Sequence, residues 1–333
     1  MVAIGIVAAI LTTLVAVLIR WLPTSASEEM DRIAFAYWFA TVICIGIFAL
    51  VAAVIVYSII AFRAQPEDDS DGPPIHGHTG LEIAWTAIPA LLVIAIGVVS
   101  AVVLSKNADA GDNPLKVKVY AQQFAWRFEY PDAKGLKSYE LVLPVDRGIE
   151  FEMTAADVIH SFWIPEMGQK QDLLPGVNTT IVITPTRTGR FTLICTELCG
   201  LGHATMRAPV RVLSQADFDA WLAEQQGAAG GTGAGTGAKA DGKALFASAG
   251  CGGCHTFTPA GATGAVGPNL DNVAADAQKA GKPTDEFVHE SIVDPGAVVA
   301  SGYSDGVMPT TFGDSFSDEE IDALVAYVTQ GAK

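Results

Sequence analysis

Three stretches of this chain, residues 2–19, 33–62 and 83–105, contain no charged side chain. A helix needs about 20 consecutive apolar residues to cross the roughly 30 Å hydrocarbon core of a bilayer, where every backbone group must find its partner within the segment. Each stretch reaches or approaches that length, so the chain is expected to be anchored in a membrane. Half of its 333 residues are apolar, yet its net charge is −16. Such a balance requires the apolar and acidic residues to be segregated, and everything after Lys106 is mixed in polarity and reads as folded outside the lipid. Residues 1–22 form either a retained transmembrane helix or a signal segment; the absence of a basic residue before Arg20 favours a retained helix. Residues 33–105 read as a two-helix hairpin. The basic residues Arg20, Arg32, Arg63 and Lys106 do not fix its orientation.

Residues 106–226 are predicted to form a β domain. Short apolar runs at 116–130, 139–143, 149–154, 179–184, 190–196 and 208–213 are separated by turn residues, as in an antiparallel sandwich or barrel. Within the first run the apolar positions move from Val117 and Val119 to Phe124, Trp126 and Phe128, which predicts a bulge at residues 121–123. Ser214 and Asp217 signal a short helix with Phe218, Trp221 and Leu222 on one face. Residues 227–239 read as a flexible linker, because 227–237 contain only Gly, Ala and Thr. Residues 240–333 are helical in pattern. Gly242, Leu245 and Phe246 lie in the first helix and Ile321, Leu324, Val325 and Val328 in the last, which Ser317 and Glu320 cap and Gly331 ends.

Of the five cysteines, Cys44 lies in a hydrophobic span and reads as a packing residue, while the others form two close pairs. Cys195 and Cys199 precede His203 and Met206, and His160 lies on an earlier strand. Two thiols, two imidazoles and a thioether form a soft donor set that suits copper. One blue-copper site needs a single Cys, whereas two thiolates can bridge two coppers that share an electron. A Cys195–Cys199 disulfide and a zinc site remain alternatives, and neither uses Met206.

The run from Cys195 to Met206, together with Asp157-Val158-Ile159-His160-Ser161 and Lys170-Gln171-Asp172-Leu173-Leu174-Pro175-Gly176, resembles the CuA domain of cytochrome c oxidase subunit II, a cupredoxin-type Greek-key β-barrel. The likeness covers residues 33–213. It implies that Cys195 and Cys199 bridge two coppers, that His160 and His203 each bind one, that Met206 is a weak ligand and that Glu197 binds through its backbone carbonyl. The Glu197 carboxylate would also reach a magnesium ion shared with subunit I. In the membrane hairpin, Leu81-Glu82-Ile83-Ala84-Trp85-Thr86 and Pro89 resemble the start of the family's second span, where the carboxylate, here Glu82, lies near a proton entry. The plainer alternative is a carboxylate at the positive end of a helix dipole. One departure stands out: Phe124 occupies the place of the family's exposed electron-entry Trp, while Trp126 keeps its match. Docking of a separate soluble cytochrome at that place is thereby put in doubt.

The second pair lies in Cys251-Gly252-Gly253-Cys254-His255, the c-type haem attachment pattern, for which a redox-active Cys pair is the main rival. Gly267-Pro268-Asn269-Leu270 and the segment 303–309 resemble a small bacterial cytochrome c over about residues 240–330. The resemblance implies covalent haem at Cys251 and Cys254, His255 and Met308 as axial ligands, and Pro268 packed beside His255. Such a haem carries electrons and binds no oxygen. His289 reads as a surface residue. Because haem is attached outside the cytoplasm, residues 106–333 are expected on the outer face of a bacterial plasma membrane.

Together these parts imply a multidomain membrane protein that relays electrons, from cytochrome c or a cytochrome-containing quinol-oxidising complex, through haem c and CuA to haem in subunit I. Oxygen would be reduced to water there, with proton translocation and with subunit III as a further partner. The chain itself has no oxygen-reducing site, and nothing in it implies nucleic-acid binding. A CuA-containing nitric oxide reductase and a free-standing membrane electron carrier are the alternatives. A linker of about a dozen residues spans on the order of 20 Å, giving the haem domain a local concentration in the millimolar range. The excess of acid fits either attraction of a basic donor or plain solubility.

Overall fold

The computed structural model describes residues 1–63, 72, 74, 76–229, 241–310 and 312–332. They fall into two units, one of residues 1–25 and 29–109, the other of residues 26–28 and 110–333. The first unit holds three helices, α1 (Val2–Leu18), α2 (Glu28–Ala61) and α3 (Thr79–Asn107). At about 1.5 Å per residue the 34 residues of α2 extend about 50 Å, longer than a bilayer core is thick. Both α2 and α3 are long and apolar enough to cross a membrane, and they turn Phe35, Leu50, Leu91 and Leu104 outward, the inverse of a water-soluble fold. The 17 residues of α1 make a shorter helix. It meets α2 at small side chains: a Cβ on Gly5 would stand 3.4 Å from the Ala53 Cβ. Arg32 near the start of α2 donates to Asn107 Oδ1 at the end of α3, 3.2 Å away, which ties the polar ends of an antiparallel hairpin together.

In the second unit ten strands form two sheets. They are β1 (Leu115–Gln122), β2 (Ala125–Tyr130), β3 (Leu136–Ser138), β4 (Leu141–Pro144), β5 (Ile149–Ala155), β6 (His160–Trp163), β7 (Lys170–Leu173), β8 (Thr179–Ile183), β9 (Gly189–Cys195) and β10 (Arg207–Leu213). One sheet runs in the order β3-β2-β1-β5-β8 and the other β4-β10-β9-β6-β7, with Phe151, Phe162, Leu141 and Leu193 buried in the core between them. The predicted bulge is absent. Residues 116–130 are instead two strands, since Gln122 pairs with Ala125 and the chain reverses at Gln123 and Phe124. Val119 faces Phe128 and Ala121 faces Trp126, so odd positions on β1 and even positions on β2 share one buried face.

The Tyr130 hydroxyl closes the β domain over β4: it donates to the Val142 carbonyl at 2.9 Å and accepts the Val142 N–H at 2.8 Å. Helix α4 (Gln215–Ala229) lays Trp221 on the same ring, 5.3 Å between centroids. α4 includes residues 227–229, which the sequence assigned to the linker. Two alanines, the best helix formers, offset one glycine there. The rest of the predicted linker, 230–239, lies outside the described residues.

The helical part comprises α5 (Gly242–Ser248), a single turn α6 (Cys251–Cys254), the two-stranded ribbon β11 (Thr256–Phe257) and β12 (Ala262–Thr263), and α7 (Val273–Lys279), α8 (Thr284–Val293), α9 (Phe312–Ser315) and α10 (Asp318–Gly331). A Cβ on Gly242 would come within 2.1 Å of the Ala323 carbonyl oxygen, so only glycine permits α5 to cross α10 this closely. Phe246 and Phe257 pack on Tyr327 behind that crossing, with centroids 5.7 and 5.4 Å away. Ser317 and Glu320 form the capping box read from the sequence.

Replacing Tyr130 by Phe would leave the buried Val142 N–H and carbonyl without their partner. The expected loss of stability is about 2 kcal/mol, seen as a lower melting temperature of the purified chain followed by circular dichroism.

Candidate metal and cofactor sites

Strand pairing creates the first site. β6 lies between β7 and β9, with Phe162 opposite Cys195, which sets His160 at the head of β6 beside the end of β9. The chain then loops through residues 196–206 and returns along β10, its Met206 carbonyl accepting the Cys195 N–H at 3.1 Å. This brings together residues that the sequence separates. The Cys195 and Cys199 sulfurs are 3.8 Å apart, His160 Nδ1 is 3.9 Å from Cys195 Sγ, and His203 Nδ1 is 3.6 Å from Cys199 Sγ. Met206 Sδ lies 3.7 Å from Cys199 Sγ, and the Glu197 carbonyl oxygen 3.3 Å from Cys195 Sγ. All four cysteines of the two pairs are free thiols. A disulfide would need its sulfurs at about 2.05 Å.

A residue that the sequence reading quoted without a role orders this cluster. Asp157 Oδ1 is 2.8 Å from His160 Nε2, and its other oxygen accepts the Gln123 N–H at 2.7 Å. Holding the proton on Nε2 leaves Nδ1 bare toward Cys195. Burial pushes the Asp157 carboxyl upward, but the hydrogen bonds from His160, Gln123 and Val158 outweigh it and hold the group below the usual carboxylate range. For His160, burial opposes the charged form, and Asp157 and Cys195 more than offset it. The two thiols diverge. Burial opposes the Cys195 thiolate, yet hydrogen bonding at His160 and the Ser161 backbone lowers its pKa, whereas burial and the Cys195 charge drive Cys199 upward. Both sulfurs can therefore be thiolates together only with a cation among them, and the donors facing that space are imidazole nitrogen, thioether sulfur and carbonyl oxygen. This set fits copper, and Met206, buried against Cys199, is the member that zinc would not need.

Trp126 is wholly buried, its ring 6.3 Å from that of His160. Phe124 stands at the β1–β2 turn, half-buried. The Glu197 side chain is exposed. Glu82 sits in the first turn of α3, where its carboxylate accepts the His78 N–H at 3.1 Å, so the helix-start role has a visible partner.

The second site is a deep apolar cavity in the helical part. Cys251, Cys254, His255, Met308, Tyr303, Phe246 and Leu324 are among the residues that line it. His255 Nδ1 donates to the Pro268 carbonyl at 2.7 Å, which leaves Nε2 as the unprotonated nitrogen. A Cβ on Gly267 would stand 2.6 Å from His255 Cε1, so glycine is required where the chain passes the ring. Burial pushes the Cys251 thiol up to about 12 and raises Cys254 as well. A redox-active Cys-X-X-Cys pair depends on a lowered thiol pKa, so this pair fits a cofactor-anchoring role. Burial also keeps His255 neutral, as an iron ligand must be. An apolar cavity lined by two thiols, an imidazole and a thioether fits haem. The sequence named these residues but missed Gly267 as the packing partner of His255.

Three family models match this chain: the transmembrane domain of cytochrome c oxidase subunit II over residues 15–103, its periplasmic domain over residues 137–213, and cytochrome c over residues 239–332. The chain is 34% identical over 249 residues to cytochrome c oxidase subunit 2 of Synechocystis sp., covering 61% of this chain and 75% of that one. It is 32% identical over 299 residues to the subunit 2 of Alkalihalophilus pseudofirmus, covering 86% and 84%. The chain belongs to the cytochrome c oxidase subunit II family. Among solved structures, the periplasmic domain of subunit II of cytochrome oxidase from Bradyrhizobium japonicum is 30% identical, with a TM-score of 0.34, and covers 36% of this chain and 98% of that one.

Membership in the subunit II family assigns α2 and α3 to the membrane and the β domain and cytochrome c region to its outer side. It also implies a CuA centre in the β domain and a haem in the helical part.

Replacing Asp157 by Ala should release the His160 ring from its fixed orientation. Loss of such a supporting group lowers metal affinity by about tenfold or more. The check is competition with a copper chelator, with the haem absorption bands unchanged.

Proposed function

We propose that this chain is the electron-entry subunit of an oxygen-reducing haem-copper oxidase, in which electrons pass from an external donor to haem c, then to the CuA pair, then to haem in subunit I. The observation that carries this reading is the presence, in one chain, of a complete soft donor set around Cys195 and Cys199 and of a second cavity bearing Cys251, Cys254, His255 and Met308. Bound there, the two centres would each supply reversible one-electron transfer without a change of ligands.

The chain's own residues do the holding. Cys195 and Cys199 would hold the copper pair together with His160, His203, Met206 and the Glu197 carbonyl, and the pair would supply one-electron exchange. Asp157 keeps His160 in its binding tautomer. Cys251 and Cys254 would anchor the haem covalently, His255 and Met308 would ligate its iron, and the Pro268 carbonyl fixes the His255 tautomer. The cavity lining includes Phe246, Val273, Phe287 and Leu324, and such apolar surroundings, like a His/Met ligand pair, would favour the less charged state of a bound iron and raise its potential. The exposed Glu197 carboxylate is the side chain available to a magnesium ion shared with subunit I. Glu82, exposed at the start of α3, is the carboxylate we assign to proton entry. Oxygen reduction and coupled proton translocation belong to subunit I, with subunit III and a cytochrome c or cytochrome-containing quinol-oxidising complex as the remaining partners.

The test is a Cys199→Ser variant in the purified complex. It should lose the mixed-valence copper signal in electron paramagnetic resonance, keep the haem c absorption spectrum and lose oxygen consumption. Persistence of the copper signal would remove the site assignment. Reduction of nitric oxide in place of oxygen by the unmodified complex would replace the acceptor, and isolation of the chain without subunit I would refute the subunit role.

A further inference from the structure

The Pro268 carbonyl, which fixes the His255 ring, sits in a stretch with neither helix nor strand, residues 264–269. A backbone carbonyl in such a stretch keeps its direction only if the chain is tied down on both sides of it. Upstream the ties run to the attachment turn and its exit. The Gly267 N–H donates to the Cys254 carbonyl at 2.8 Å, and Thr256 Oγ1 donates to the Gly264 carbonyl at 2.7 Å. A Cβ on Gly264 would stand 2.5 Å from the Cys254 carbonyl carbon, so the chain lies directly on that turn.

Downstream, one side chain supplies the tie. Asp271 Oδ1 accepts the Thr258 N–H at 2.8 Å, and its Oδ2 accepts the Thr258 hydroxyl at 2.7 Å. Thr258 directly follows β11, the strand that leads away from His255, so the carboxylate ties the far end of the stretch back to the chain leaving the ligand. Two bonds to one residue fix direction as well as distance, which a single bond does not. The Asp271 N–H in turn donates to Asn269 Oδ1 at 2.9 Å, capping the short 3-10 helix Leu270–Asn272 and holding the residue next to Pro268. The path from Thr258 through Asp271, Asn269 and Pro268 to His255 is therefore continuous. Pro268, Asn269 and Leu270 line the haem cavity and Asp271 does not, so Asp271 acts there only through its neighbours.

We propose that Asp271 is a positioning residue for the haem: by clamping Thr258 it holds the Pro268 carbonyl on His255 Nδ1, and so sets the potential of the site without touching the cofactor. This rests on the haem relay proposed above and names a residue that tunes it. A bond from Nδ1–H to a carbonyl makes the imidazole a stronger donor and fixes the plane of its ring. Stronger donation favours oxidised iron, so loosening the bond raises the potential. Removing the negative charge of Asp271 acts in the same direction, because oxidised iron carries the extra positive charge. The two causes separate in an Asn variant. Its amide accepts the Thr258 N–H through Oδ1 and donates to Thr258 Oγ1 through Nδ2, which keeps the clamp and loses the charge.

The experiment compares the unmodified oxidase complex with Asp271→Ala, Asp271→Asn and Thr258→Val. The potential of the haem in this chain is read by spectroelectrochemical titration. The g values of the oxidised haem in electron paramagnetic resonance follow the orientation of the His255 ring. In Asp271→Ala the ratio of reduced to oxidised haem at a fixed applied potential should rise about threefold or more, and the g values should shift or broaden. Asp271→Asn should keep both as in the unmodified complex. An Asn variant that shifts as far as the Ala variant makes charge the cause and overturns the clamp. An Ala variant with unmodified potential and g values overturns any role for Asp271. Should Asp271→Ala take up no haem, Thr258→Val decides, since it keeps the carboxylate and removes only the hydroxyl arm: a shift of the g values supports the clamp, and an unchanged spectrum and potential overturn it. Absence of covalently bound haem from the unmodified complex would instead count against the relay.

Discussion

Two buried thiols 3.8 Å apart cannot both be ionised without a cation between them, and the β domain is organised around that constraint. The strands supply the precision. Cys195 ends β9 and His160 begins β6, adjacent strands whose register is fixed by backbone pairing, so half of the donor set rests on the sheet. The other half comes from a single loop, residues 196–206, whose return is pinned by the hydrogen bond between Cys195 N–H and the Met206 carbonyl. A metal centre that only exchanges electrons benefits from ligands that do not move, and a site fixed on a paired sheet provides this better than one on free loops.

The two histidines that orient the centres solve one problem in opposite ways. His160 gives Nε2 to Asp157 and presents Nδ1 to sulfur, while His255 gives Nδ1 to the Pro268 carbonyl and frees Nε2. The partner of each matches its setting. A carboxylate supports an imidazole beside a cationic pair of metals, where added negative charge is neutralised, whereas a neutral carbonyl suits an imidazole in an apolar cavity, where a carboxylate would be costly to bury.

Much of this was legible in the sequence because the chemistry is local there. Cys195 to Met206 and Cys251 to His255 are continuous runs, and their spacing survives in any fold that closes the loop. The three apolar stretches were equally plain, since composition alone marks them. What failed was information that a one-dimensional pattern cannot hold. The shift of apolar positions between Val119 and Trp126 has the same parity whether one residue bulges out or the chain reverses over two residues, and it reversed. Strand β7 escaped notice, and β6 was marked only by His160, because both are four residues long and β6 carries His160 where alternation would set a hydrophobe. The extension of α4 into residues 227–229 was hidden by glycine-rich neighbours, although alanine carries a helix readily. The contact of Tyr139 with Phe316 joins residues far apart in the chain, so no local signal announces it.

That last contact changes the meaning of the one departure from the family pattern. On sequence grounds Phe124 weakened the case for an external donor at the copper face and left a tethered haem domain as the natural substitute. Beside the geometry, the substitution acquires a steric reason. Gly200 and Gly202 crowd the ring from the copper loop, and the ring also lines the haem cavity, so the half-buried position is shared between two domains. An indole there would need a partner for its N–H, whereas a phenyl ring carries no such obligation. A residue that serves as a landing place for a diffusing protein gains from a polar edge, and one packed against glycines of a neighbouring loop gains more from a ring that needs no hydrogen-bond partner.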